Sequence, residues 1–530
     1  MGNSKNQTKT IKTKLSCKKD TNCNKLELYN KITELGKNVD PSKYKHLVLG
    51  LILLKHISDT YDNLKQNLVN TNKNEEDRDY YIEQNIFWVP KEATWSYIQN
   101  NAKLPTIGQI IDSAMSKIEE ENETLNGSLP KNYANESIDK IKLGELIDLI
   151  SKIPLEEKIN DNSVCLKKIF EYIKIKFAVS EGKSGGELYT PNSIIKVLVK
   201  MIEPYRGRIY DPCCGSGGMF VELITTIQEQ GGKINDVSIY GQEVNKNTWH
   251  LAKMNLAIRN IDANIKWNTG GSFLDDAHKT LRADFILANP PFNTSNWGSN
   301  SLKEDNRWIH GVPPDSNANF AWLQHILYHL SANGVAGTVL ANGALSSNKN
   351  TEGEIRKAML EQDIVDCIVS LPNKLFYSGT NPACIWILAK NKNPETNLRN
   401  RKGEVLFINA QNLGTAIDRK RIELNLDDIT KIANTYHSWL GNNETNLYED
   451  KHGFCKSIKI NHIAKNNYIL TPANYVETTS QQYNEKRFEE NITNLSNKLL
   501  LQIKESNQLN SDVINSIRAI GIKLENIYET

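Results

Sequence analysis

The chain has 530 residues, 39% hydrophobic and 24% charged, which is enough to bury large cores over two to four domains without disulfide or metal support. A net charge of +2 excludes a molecule that grips nucleic acid as a uniform polycation, so any DNA contact must be local or shared with a partner. The longest apolar run near the N-terminus, Leu47 to Leu54, includes Gly50 and is far short of the roughly 20 residues that span a bilayer, so no membrane partner is expected.

Residues 1–25 read as a basic flexible tail, with Lys5, Lys9, Lys12, Lys14, Lys18 and Lys19 and no apolar segment of a secretory signal. Asn6 stands where the myristoylation pattern wants Ser or Thr, and a cytoplasmic location is expected. The eight cysteines, among them Cys17, Cys23 and the adjacent Cys213 and Cys214, lack zinc-ligand spacing with a second pair. Reduced thiols and no metal site are the expectation.

Residues 26–165 predict a helical N-terminal domain. Its clearest helix opens at Asp40-Pro41, a cap residue followed by proline in the first turn. Tyr44, Leu47, Val48, Leu51, Leu54, Ile57, Ser58 and Tyr61 then recur with the helical period, with Lys and Asp between them. Phe87-Trp88-Val89-Pro90 and Trp95 read as aromatic packing between helices.

Residues 166–475 predict a second domain. After Glu187 short apolar strands alternate with helical patterns, which is the signature of a doubly wound, mostly parallel α/β sheet. Strands are expected at 208–210, 237–240, 284–288, 337–341, 366–371 and 384–389. Open sheets of this kind bind ligands at the carboxyl ends of their strands, so the loops there should converge on one crevice. Beyond Asn393 the pattern loosens. Residues 476–530 predict C-terminal helices for subunit contact, with Leu495, Leu499, Ile503, Leu509, Val513, Ile517 and Ile520 forming a stripe that needs a partner in this chain or another.

Three strand-end loops carry chemistry. Arg208 to Phe220 runs from a strand through a proline stop and a glycine cluster into a helix. Its Gly215-Ser216-Gly217-Gly218 is not the dinucleotide fingerprint, and Asp211 ahead of it would repel a pyrophosphate yet hold an amino group. A cationic cofactor fits. Glu243, ending the next strand, is placed to accept from both hydroxyls of a ribose. Ahead of the sheet, Gly185-Gly186 precede Glu187, Leu188, Tyr189, Thr190, Pro191 and Asn192, a polar and aromatic connector. The nearby Gly182-Lys183-Ser184 is no phosphate-binding loop, because Phe177 occupies the position of that motif's first glycine.

The third loop is Asn289-Pro290-Pro291-Phe292. Two prolines forbid both ladder and helix, so the chain leaves a buried strand with Asn289 and Phe292 in fixed directions. An aromatic amine is a poor nucleophile because its lone pair is delocalised into the ring. The Asn289 side-chain oxygen and the Pro290 carbonyl, each accepting one N–H, would free that lone pair towards a methyl sulfonium. Phe292 would stack on the extruded base.

With these residues in hand, the chain resembles the modification (M, HsdM) subunit of type I restriction-modification systems, a γ-class adenine-N6 DNA methyltransferase family using S-adenosyl-L-methionine. The resemblance implies that residues 186–192, 211–220 and Glu243 bind the cofactor and that Asn289 to Phe292 act on the base. Tyr44 to Leu51, Phe87 to Pro90, Leu129-Pro130-Lys131, Pro313-Pro314, Asn317 to Trp322 and Phe376 to Thr380 are similar to further stretches of that family. It implies as partners a specificity (S) subunit, a second modification subunit, a restriction (R) subunit and double-stranded DNA. Many relatives carry Gly-Asp before the catalytic strand, whereas here Gly270-Gly271-Ser272-Phe273 stands in that place. Phe273 or a backbone amide is then the expected contact for the cofactor adenine. The alternatives at this stage are a protein-glutamine or RNA methyltransferase and a non-catalytic DNA-holding subunit.

Overall fold

The first described helix, α1 (Pro41–Asn70), starts where proline in the first turn predicts. The computed structural model describes residues 41–154, 166–181, 190–376, 382–393, 398–418, 421–441, 447–476 and 485–519, so the basic tail and Asp40 lie outside the described residues. From Leu47 to Tyr61 the predicted stripe of α1 is buried, and so are Leu49, Ile52 and Leu53 between its members; the Tyr44 side chain lies outside the described ones. From Lys45 to Ser58 the helix is covered all round, because α3 (Lys140–Ser151) and α4 (Leu166–Glu181) pack against it while α2 (Ile107–Glu121) closes the same core; beyond Tyr61 one face is exposed. Even Lys55 and His56 are buried there. Lys55 pairs with Asp59, and burial lowers His56 to about 3, so its ring is neutral. Ser58 Oγ accepts from Trp95 N at 2.7 Å, and the Trp95 indole donates to Ser151 Oγ at 2.9 Å, which ties α1 to α3. Trp88 packs edge-on to Tyr61 and Tyr81 at 5.3 and 5.1 Å, as aromatic packing between helices requires.

The sheet comprises β1 (Gly207–Asp211), β2 (Val237–Glu243), β3 (Asn264–Trp267), β4 (Ala283–Ala288), β5 (Leu330–Ala341), β6 (Val365–Ser370), β7 (Ala383–Ala389) and β8 (Glu404–Asn409). After a two-residue-strand ribbon, β9 (Thr415–Ala416) and β10 (Ile422–Glu423), β11 (Cys455–Lys459) completes it. The order is β11-β8-β6-β7-β5-β4-β1-β2-β3. Pairing is parallel except that β7 runs against both β5 and β6, and β11 runs against β8. Alternate residues face opposite sides, so Ile209 and Tyr210, or Ile385 and Trp386, enter different cores.

One face is covered by α5 (Asn192–Ile202), α6 (Gly218–Glu229) and α10 (Leu426–Leu440), and the other by α8 (Asn319–His329) and α9 (Glu352–Glu361). Burial on both faces explains why the central strands read as continuous apolar runs. The helix α7 (Lys246–Ala257) divides its loyalties: Leu256 joins the sheet core, whereas Leu251, Met254 and Ala257 enter the helical-domain core. From β1 the chain builds outward through β2 and β3, then returns to place β4 on the other side of β1. That reversal opens a crevice at the carboxyl ends of β1 and β4.

Three strands of the nine-stranded sheet, and the short β9–β10 ribbon, were not expected from the sequence. β3 and β11 are sheet edges whose burial alternates weakly, and β8 lies where the pattern loosens. The described cysteines, Cys213, Cys214, Cys367, Cys384 and Cys455, are free thiols. No described helix is long and apolar enough to cross a membrane. By contacts the chain divides into two units, Met1–Val476 and Glu477–Thr530. The second unit contains α11 (Glu485–Ala519), on which Leu495, Leu499, Ile503, Leu509 and Val513 are exposed.

Candidate cofactor cleft and catalytic turn

At the end of β1 the Asp211 carboxylate accepts from its own loop, Cys213 N, at 3.0 Å. Burial raises Asp211 to about 7; the Cys213 hydrogen bonds pull it down and nearby Glu243 adds to the rise. The loop then crosses β2, where Cys214 N donates to Gln242 O at 3.1 Å and Gly215 N donates to Glu243 Oε2 at 3.0 Å. The other Glu243 oxygen accepts from Asn245 N at 2.8 Å. Glu243 therefore fixes both turns, with one oxygen on each. Two glycines are sterically required here. Gly217 has φ 74° at the start of α6, a left-handed conformation, and a Cβ on Gly241 would meet Ile265 Cδ1 at 2.8 Å and Cys214 Sγ at 3.2 Å.

These groups line a cavity of ≈ 440 Å³, within the size range of small-molecule sites. Of the residues expected from the sequence, Thr190, Asp211, Gly215, Ser216, Gly218 and Glu243 line it, together with Asn289 and Pro291 from the catalytic turn. Pro191 and Asn192 lie instead at the start of α5, and Gly217 packs towards α7, 3.6 Å from Ala252 Cβ by its would-be side chain. Glu187, Leu188 and Tyr189 lie outside the described residues.

Sequence reasoning missed much of the far wall. Phe273 was anticipated, and it is joined by Trp297 and Trp322, with ring centroids 5.0 and 4.2 Å from it. Both tryptophans lie far along the chain from the glycine loop, and no local pattern ties them to it. The only signal for Trp322 was the aromatic content of Asn317 to Trp322, and Trp297 had none. Thr248 and Asn245 also line the cleft.

At the end of β4, Asn289 Nδ2 donates to Thr190 Oγ1 at 2.7 Å. Its Oδ1 is buried and has no hydrogen-bond partner among the described residues. An acceptor left so costs about 1–3 kcal/mol unless a ligand completes the bonding. Pro290 is buried and Pro291 exposed. Phe292 is half-buried and does not line the cleft; it sits edge-on to Phe376 at 5.5 Å. The turn is clamped from α8: Asn293 N donates to Asn319 Oδ1 at 3.0 Å, and Asn319 Nδ2 returns a bond to Asn293 Oδ1 at 2.9 Å.

Behind the cleft, Arg307 donates to Ser272 O at 3.0 Å and Phe273 O at 2.6 Å, holding the Gly270 to Phe273 segment from below. It also donates to His325 Nδ1 at 3.0 Å, and His329 Nε2 lies 2.9 Å from Asp276 Oδ2. Asp276, His325 and His329 have metal-like proximity, but Arg307 occupies one His325 nitrogen and Leu281 O faces the free nitrogen of His329 at 3.1 Å. The cluster is buried and tied into the wall behind the cleft by these bonds, with His325 Nε2 left without a hydrogen-bond partner among the described residues.

A strand order reversing beside β1, a glycine loop there and Asn-Pro-Pro-Phe beside it define a methyltransferase of the S-adenosylmethionine-dependent fold. Residues 162–484 match the N-6 DNA Methylase family, and residues 26–153 match the HsdM N-terminal domain. A type I restriction enzyme HindI methylase subunit of Haemophilus influenzae is 41% identical over 82% of this chain and 100% of its own length. The MjaIX methylase subunit of Methanocaldococcus jannaschii is 36% identical over 93% of this chain and 91% of its own. The crystal structure of a type I restriction-modification methyltransferase subunit from Streptococcus thermophilus superposes with a TM-score of 0.68 at 23% identity, over 86% of this chain and 99% of that one, which shows the shared fold. The chain belongs to the type I restriction enzyme methylase subunits, adenine-specific N-6 DNA methyltransferases. Protein-glutamine or RNA methylation and a purely assembly role find no support beside this.

Proposed function

We propose that the cleft holds S-adenosyl-L-methionine and that the Asn289 turn receives an adenine extruded from double-stranded DNA. The residues fit such a cofactor. Asp211 offers a buried carboxylate to its amino group, Glu243 presents a carboxylate at the cleft wall to ribose hydroxyls, and Phe273, Trp297 and Trp322 form an aromatic wall suited to a purine. When bound, the cofactor supplies an electrophilic methyl group. Glu187, Leu188 and Tyr189 are assigned to the same site by the family resemblance.

The unpartnered Asn289 Oδ1 carries the reading of the turn. Thr190 fixes the amide by accepting from Nδ2, so Oδ1 is the atom left for one N–H of the adenine amine, while the Pro290 carbonyl takes the other. Two acceptors on one nitrogen localise its lone pair without a strong base. Phe292, backed by Phe376, offers a stacking face for the base.

The segments would divide the labour as a basic tail (1–25), a helical domain (26–165), the methyltransferase domain (166–475) and C-terminal helices for subunit contact (476–530), with α4, at the start of the third segment, packed into the core of the helical domain. The exposed stripe of α11 suits such a contact. The partners would be a specificity subunit, a second modification subunit, a restriction subunit and DNA, in the cytoplasm. The test is transfer of labelled methyl to duplex DNA in the presence of a specificity subunit. N6-methyladenine in the digested product is expected, and its absence with cofactor binding confirmed rejects the reading.

A further inference from the structure

The helix α7 touches two parts of the molecule with different jobs. Its Ala252 and Leu256 lie under Gly217, and Asn255 Nδ2 donates to Ser216 O at 2.8 Å, so this side supports the glycine loop of the cleft. Its Leu251, Met254 and Ala257 are buried in the core of the helical domain. The spacing is that of a helix with two apolar faces, and Asn255, fully buried, is the polar residue between them.

Just past the end of α7, Arg259 connects these faces. Its Nη1 donates to Asn255 Oδ1 at 2.6 Å and to Asn255 O at 3.0 Å, and its Nη2 donates to Glu171 Oε2 at 2.9 Å. Glu171 Oε1 accepts from Lys174 at 2.8 Å, and both belong to α4, which packs on α1 in the helical domain. Burial works against the Glu171 carboxylate, but Lys174 and Arg259 outweigh it and hold the group below the usual carboxylate range. Lys174 is itself pulled down, because its burial outweighs the pull of Glu171. An unbroken line of hydrogen bonds thus runs from α4 through Glu171, Arg259 and Asn255 to the backbone of the cofactor loop.

We infer that Asn255 and Arg259 are positioning residues for the cofactor loop, and that Glu171 makes cofactor affinity depend on how the helical domain is seated. The amide of Asn255 cannot turn over while Arg259 holds Oδ1, so Nδ2 stays on Ser216 O and the loop keeps its shape. Shifting α4 withdraws Glu171, frees the guanidinium and loosens the loop. By linkage the influence is mutual, so a ligand in the cleft stabilises the seating of α4. The inference rests on the cofactor reading of the cleft.

The probe is S-adenosyl-L-homocysteine titrated calorimetrically into the full chain. Arg259→Met should weaken binding by about tenfold and Glu171→Gln by about threefold, and the double variant should bind no worse than Arg259→Met, because both break one line. Hydrogen exchange supplies a readout that a merely structural role would not move. In the unaltered chain the ligand should slow amide exchange in α4, and in Arg259→Met that ligand-dependent slowing should vanish. If Arg259→Met does not fold, Glu171→Gln, which keeps size and removes only charge, decides the matter alone. Binding within experimental error of the unaltered chain in either folded variant, or unchanged α4 protection on ligand addition, overturns the inference. Absence of binding by the unaltered chain overturns the cofactor reading instead, and the coupling with it.

Discussion

The loops after β1 and β4 lie side by side at the same crevice and are built on opposite terms. After β1 each polar group that shapes the loop has a partner: Asp211 takes Cys213 N, Glu243 takes Gly215 N, and Asn255 takes Ser216 O. After β4 the side chain of Asn289 is satisfied on one end only. A loop whose bonds are complete can receive a ligand without rearranging, which favours affinity. A turn that keeps one acceptor unmet gains most when the reacting group arrives, which favours rate. On the proposed function, the cleft separates holding from activating.

The sharpest way to break this contrast is Asn289→Ala. Methyl transfer to DNA with a specificity subunit present should fall by about a thousandfold, while S-adenosyl-L-homocysteine affinity changes little. Loss of ligand affinity instead would put Asn289 on the holding side. Asp211→Asn should do the reverse, weakening ligand binding by about a hundredfold in calorimetry. The same variant should melt at a higher temperature at pH 8. The fold keeps this carboxyl protonated up to about pH 7, whereas it titrates near 3.8 when unfolded. Between those values the folded chain binds the extra proton, so stability falls as pH rises through the window and is constant above it. Asparagine removes that cost.

For the unaltered chain, ligand affinity should drop by up to about tenfold per pH unit below about 7, since a cationic amine needs Asp211 ionised, and should level off above. The groups facing Asp211 are Glu243, Cys213 and Cys214; burial pushes both thiols well above their usual range, so they stay neutral across this window. A pH-independent affinity would show that Asp211 does not meet the amine. The mildest test is Thr190→Val, which removes the acceptor for Asn289 Nδ2 and should lower kcat by about tenfold, with Thr190→Ser restoring it. A fall in ligand affinity without a change in kcat would return Thr190 to a binding role alone.

Much of this was readable along the chain because its signals are local. Proline and glycine dictate backbone paths within a few residues, so the turn at Asn289 and the loop at Gly215 to Gly218 announced themselves, as did the central strands, buried on both faces. The helical domain was legible from its period, though α1 is covered all round from Lys45 to Ser58, since a one-helix pattern cannot show how many neighbours will surround it. The edge strands β3 and β11 escaped notice because half-exposed residues carry little pattern.

What only tertiary structure decided are the meetings of distant residues. Trp297 and Trp322 reach Phe273, Thr190 reaches Asn289 across 99 positions, and Arg259 reaches Glu171 across 88. Short-range sterics determine the direction in which each segment leaves its strand, and those are written residue by residue. Which segments then face each other depends on the reversal of strand order beside β1 and on a helix shared by two cores, and no stretch of sequence contains either.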